Sequence, residues 1–86
     1  MLSGKQLARA LFERAAAQEA AELLAGFKAK AAAAQSLEDL WRLRFDLERA
    51  EREFQQKYDY RYSQLLFVFG RLVREGRVDE SEFDAL

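Results

Sequence analysis

Bond-making chemistry needs a nucleophile beside a base, a metal cluster or a phosphate-cradling loop. This chain offers little toward any of them. It has no histidine, no cysteine and no threonine, and its serines are four scattered residues. Neither G-x-G-x-x-G nor G-x-x-x-x-G-K-[ST] occurs. Carboxylates are plentiful but mostly sit at helical spacing from arginines, and nothing singles out Glu48 or Glu51 as a paired acid. The expectation is a protein that is not an enzyme and holds no cofactor or metal.

What the residues can do is recognise a surface. In KYDYRYSQLLFVFGRLVREG, Lys57 to Gly76, three alternating tyrosines run into the apolar stretch Leu65 to Phe69. Alternation points to a strand, but the flanks are helical and no second strand follows to pair with it. Read as a helix, Tyr62, Leu65, Leu66, Phe69, Leu72 and Val73 share one face, the expected core side. Tyr60, Ser63, Phe67, Gly70, Arg71 and Arg74 fall opposite, with Val68 between. Phe67 beside a glycine and two arginines has the composition of an interface hot spot. The alternative is that another helix of the same chain covers it. A second anomaly is Trp41 with Phe45, one helical turn apart and away from the apolar seam of their own helix. Either the chain covers this pair itself or a second copy or partner does.

The elements that position these residues are all helical. Proline is absent, glycine is confined to positions 4, 26, 70 and 76, and Ala, Leu, Glu, Arg and Gln dominate. A first helix is expected from after Ser3 to about Ala34, with Phe12, Ala16, Leu23 and Phe27 on one side. Leu7 and Leu11 fall on another. Ser36 with Asp39 reads as the capped start of a second helix, Leu37 to about Tyr58. Its seam is Leu40, Leu47 and Phe54 at seven-residue spacing, with Leu43 and Ala50 between. Opposite charges at i,i+4 (Glu38/Arg42, Arg42/Asp46, Arg44/Glu48, Glu48/Arg52, Arg49/Glu53) read as its solvated face. A third helix is expected from Asp59 to Gly76, and a short fourth capped by Asp79, with Phe83 and Leu86 laid on the core. Whether the second and third helices are continuous stays open.

Length and charge set the class. A chain of 86 residues is expected to form a single domain, 1–86, with a thin core. With disulfides and thiolate zinc unavailable, self-association is the remaining source of stability. Net charge is −1, from 14 Lys+Arg and 15 Asp+Glu. That argues against nucleic-acid binding. No run of about 18 apolar residues offers a membrane span. The Ala- and Arg-rich N-terminus is slightly transit-peptide-like, but Glu13 and Glu19 count against that, so a cytoplasmic location is expected.

One combination is more specific. Asp39-Leu40-Trp41 is followed, sixteen residues after the tryptophan, by Lys57-Tyr58-Asp59, then Arg61, Ser63, Phe67-Val68-Phe69 and Glu75-Gly76. This ungapped stretch from Asp39 to Val78 resembles the fluorescence recovery protein family of cyanobacteria. The resemblance implies an all-α homodimer with an elongated helical hairpin, the stalk, and a small helical head. It implies a regulator that binds the C-terminal domain of photoactivated orange carotenoid protein, speeds its return to the resting state and holds no carotenoid itself. Trp41 matches a tryptophan linked to the family's dimer interface, and Phe67 a head phenylalanine linked to partner binding. On this reading Phe67, Arg71, Arg74 and Tyr60 face the partner, and Trp41, Phe45, Arg44, Leu23 and Phe27 form the dimer interface. The chain departs from the family pattern at Arg44-Phe45, which stand for His-Asp, and at Glu51, which stands for an arginine. The family's basic C-terminal tail is also missing beyond Leu86. These departures leave open a relative from an organism without phycobilisomes, acting on an unknown partner.

Overall fold

The computed structural model describes residues 3–86. The first helix, α1, spans Gly4–Ala33. Its start is fixed by a reciprocal cap. The Ser3 hydroxyl accepts from the Gln6 N–H at 3.2 Å, and the Gln6 side chain accepts from the Ser3 N–H at 2.9 Å. Thirty residues at about 1.5 Å each give a rod of roughly 45 Å. That rod sets the long dimension of a molecule measuring 52 × 21 × 20 Å.

The chain turns back within three residues. Ala34 is extended, and Ser36 caps α2, Leu37–Lys57, by accepting from the Asp39 N–H at 3.2 Å. Asp39 adds to the turn by accepting from the Gln35 N–H at 2.9 Å, which holds its carboxyl below the ordinary carboxylate range. The C-terminal part of α1 and the whole of α2 make the helical hairpin. The charges of α2 pair differently from expectation. The ion pairs found are Arg42 with Asp39 and Arg49 with Asp46, both three residues apart, and the i,i+4 partners do not meet among the described residues.

Helices two and three are separate. Tyr58 leaves helical geometry at φ −96°, ψ 52°. Asp59 does not cap a helix: its carboxylate accepts from the Arg61 N–H at 3.1 Å and pairs with the Arg61 guanidinium. The side chain therefore closes a local turn instead. A single 3-10 turn, Tyr62–Gln64, leads into α3, Leu65–Arg74, so the third helix begins at Leu65, not near Asp59. Gly76 ends it in the left-handed region, φ 75°. Its N–H bonds the Val73 carbonyl at 3.0 Å and the Arg77 N–H bonds the Leu72 carbonyl at 2.9 Å. Only glycine takes that conformation cheaply. Asp79 then caps α4, Glu80–Asp84, in a second reciprocal box with Glu82.

The core lies at one end of the rod. Leu11, Phe12 and Ala15 of α1 meet Val68, Phe69 and Leu72 of α3, and Val78 closes the cluster. Phe69 and Phe83 approach with ring centroids 6.2 Å apart, which fastens α4. The expected core face of α3 is thus rotated. Val68 is core, whereas Leu66 is 70% exposed. The stripe follows Leu65, Val68, Phe69 and Leu72, because α1 presents Leu11 and Phe12 to the Val68 side. On α1 likewise, Leu11 and Ala15 flank Phe12 in the core, while Leu23 and Phe27 lie far along the stalk. Leu86, expected to cover the core, is exposed. Tyr62, expected on the core face, has a side chain outside the described residues.

Candidate functional site: two exposed apolar surfaces and a buried ionic junction

The head presents the first surface. Phe67 is 72% exposed, and Leu66 beside it is similarly bare. Both stand on the first turn of α3, whose other side is taken up by the core. Arg71 and Arg74 are exposed on the following turns, as the sequence pattern predicts. Arg71 pairs with Glu75 at 3.0 Å. The Arg74 guanidinium lies over Gly70, 3.9 Å from where a β-carbon would sit, so the glycine leaves room for it. Tyr60 is placed elsewhere. Its half-buried ring packs edge-on against Phe12, centroids 4.7 Å apart, beneath the Arg9 guanidinium at 4.5 Å. It buttresses the core side of the head. Leu66 was missed as a surface residue because the wheel placed it on the core side.

The stalk carries the second surface. Trp41 is 54% exposed and Phe45 60% exposed, and the Arg44 guanidinium sits 4.9 Å from the Phe45 ring centroid. Leu37, Leu40 and Leu47 of the same helix are also exposed. Leu23 and Phe27 are half-buried on α1. They line a cleft of about 510 Å³ between α1 and α2, with Leu24, Leu47, Ala50 and Phe54. Glu51 stands at its rim. Of the five residues expected at a dimer interface, Trp41, Arg44 and Phe45 are exposed on α2, and Leu23 and Phe27 line the cleft from α1.

Between the surfaces lies a junction that the sequence did not announce. The Lys57 side chain, 6% exposed, reaches from the last turn of α2 to Glu19 of α1 at 2.5 Å and to Glu75 at the end of α3. Arg77 joins Glu19 at 3.1 Å, Glu22 at 2.9 Å and Glu75 at 3.2 Å. The Tyr58 hydroxyl donates to Glu19 at 2.9 Å and lies 3.2 Å from the Ala15 carbonyl. Burial and the bond to Glu19 push this phenol well above its ordinary range. Burial works to raise the Glu75 carboxyl, but hydrogen bonds from Lys57, Arg71 and Arg77 prevail and hold it below the ordinary value. The bidentate bond to Glu22 raises Arg77 further. Farther along, Arg14 grips Glu82 through two 2.7 Å bonds, which hold that carboxyl at about 2 and tie α4 to α1. Glu22 and Arg77 lie 55 residues apart in the chain, and Lys57 and Glu19 38, so no local spacing could reveal these partners.

Among the described residues, no group of acidic side chains could hold a metal ion and no helix is long and apolar enough to cross a membrane.

A family model described as photoprotection regulator fluorescence recovery protein matches residues 3–86. The fluorescence recovery protein of Synechocystis sp. is 40% identical over 81 residues, covering 94% of this chain and 74% of the relative. The solved structure of the Fremyella diplosiphon fluorescence recovery protein matches with a TM-score of 0.86 at 34% identity, covering 100% of this chain and 86% of the other. A lysine-for-arginine mutant of the Synechocystis protein matches equally, TM-score 0.86 at 38% identity, covering 98% and 87% of the two chains.

Proposed function

The chain belongs to the fluorescence recovery protein family of photoprotection regulators, and from that premise we propose a division of labour between its two surfaces. The stalk joins two copies into a homodimer. The head binds the C-terminal domain of photoactivated orange carotenoid protein and speeds its return to the resting state. The chain acts as one domain and without chemistry of its own. A regulator of this kind can accelerate recovery only by holding the target more tightly on the way back than in the activated state.

The observation that carries the head reading is Phe67. It is a large ring left in solvent beside Leu66, while the core beneath is complete without either. Covering a side chain of this size contributes about 1.5–3 kcal/mol. The exposed Arg71 and Arg74 supply a polar rim of the kind that surrounds hot spots. For the stalk, the supporting observation is the row Leu37, Leu40, Trp41 and Phe45, with the open cleft at Leu23 and Phe27. A chain whose core occupies only one end of a 52 Å rod gains stability when a second copy covers the other.

The test is co-elution. Wild-type protein is run on a sizing column with orange carotenoid protein, dark-adapted or kept under blue-green light. A complex with the illuminated form, lost in Phe67→Ala but kept in an exposed-residue control such as Arg52→Ala, is the expected result. Equal complex formation by wild type and Phe67→Ala would reject the head as the binding surface.

A further inference from the structure

We propose that Lys57 is a positioning residue: its two ion pairs clasp the head to the stalk and set the angle at which the Phe67 surface is presented. The head's apolar contacts are made with α1, through Leu11, Phe12 and Ala15, and no α2 residue enters that core. After α2 the backbone leaves helical geometry at Tyr58 and passes through a turn before α3 begins. Among the described residues, Lys57 is the one α2 side chain that bonds the head. It meets Glu75 at the end of α3 while also meeting Glu19 of α1. One ammonium thus pins three helices at a single point.

The surrounding charges explain why this can be a matter of orientation and not of folding alone. Arg77 pairs independently with both Glu19 and Glu75, and Arg71 with Glu75. Removing the ammonium leaves neither carboxylate without a cation, so the usual penalty for orphaning a buried charge is softened. What is lost is the ionic tie from α2, leaving the softer stacking of Phe54 on Tyr58 and of Tyr58 on Phe12. Arg77 can still hold α1 to the head, but it cannot fix where α2 stands relative to it. Because the dimer surface at Trp41 lies on α2 and the partner surface on α3, Lys57 is also the shortest bonded route between them. This functional consequence rests on the proposed reading of the head.

The chain has no cysteine, so two can be introduced for spin labels without background. Arg52→Cys on α2 and Ser81→Cys on α4 are exposed positions. Samples are diluted with unlabelled protein so that one copy per assembly reports. The native background should give one narrow distance distribution. Lys57→Met should widen or shift it, and Lys57→Arg should restore it. Glu75→Gln removes the head end of the clasp together with the Arg71 and Arg77 pairs of the same carboxylate. It should widen the distribution too, and it carries the test if Lys57→Met does not fold, with Arg71→Gln, which spares Lys57, expected to leave the native width. Distributions in folded Lys57→Met and Glu75→Gln that superimpose on the native one would overturn the clasp, whatever the activity. With helix content and mass unchanged, Lys57→Met should also weaken acceleration of carotenoid-protein recovery about tenfold, within the usual range for coupled sites. A widened distribution with an unchanged recovery rate would support the clasp and count against the head as partner surface.

Discussion

Phe67 and Leu72 stand on the same short helix, and their surroundings predict opposite behaviour. Leu72 is fully buried against Leu11 and Phe12, so Leu72→Ala should cost about 2–5 kcal/mol in denaturant melts. Phe67 touches mostly solvent, so Phe67→Ala should stay within about 0.5 kcal/mol of wild type. A large loss in Phe67→Ala would mark it as core and remove the basis for the head surface. Charge gives a second residue-scale prediction. Glu22, Glu75 and Glu82 are all held below the ordinary 4.5, Glu82 at about 2. Their bonds to Arg77, Lys57 and Arg14 are therefore at full strength above pH 4.5 and are lost as pH falls toward 2. Thermal melts should hold their midpoint down to about pH 5 and drop below pH 4.5. Tyr58 acts in the other direction. Its phenol is raised above the ordinary 10, so its contribution is present below pH 10 and fades as pH climbs past it. An ultraviolet titration should find at least one tyrosine resisting ionisation until the fold is lost.

At the scale of elements, the helix ends are where sequence and structure agree best. Ser36→Ala should cost about 0.5–2 kcal/mol, because the hydroxyl is the side-chain acceptor at the start of α2. Gly76→Ala should be destabilising through its positive φ alone, although open space surrounds it. Scanning calorimetry would show both. These signals were legible because a cap is settled within three or four residues. Gly76 and Asp79 were read correctly for the same reason. Asp59 was misread because an aspartate can close a turn two residues ahead as readily as it can cap a helix, and the choice depends on Arg61. The exchange of Leu66 and Val68 was illegible for a different reason. Which side of α3 is core depends on where α1 crosses it, and α1 is alanine-rich with no strong apolar face to announce that crossing. The Lys57 junction lay further out of reach, since Glu19 is 38 residues away from it in the chain.

For the whole molecule, the geometry separates a rod that needs covering from a head that is already packed. Trp41→Ala should shift the protein toward monomer in light scattering while leaving its helix content intact. A wild-type protein that is monomeric at every concentration would remove the dimer from the account. The departures at Arg44, Phe45 and Glu51 all fall on α2, on exposed positions of the stalk, whereas Phe67 stands on α3. Exposed apolar rows were visible in the sequence as residues out of place, but their roles are a property of the assembled molecule. The most direct test of the central proposal is the dark decay of photoactivated orange carotenoid protein from red to orange, followed at saturating wild-type protein and at saturating Phe67→Ala. Acceleration by the wild type that is lost in the folded variant is the predicted result. No acceleration by the wild type, or equal acceleration by both, would contradict it.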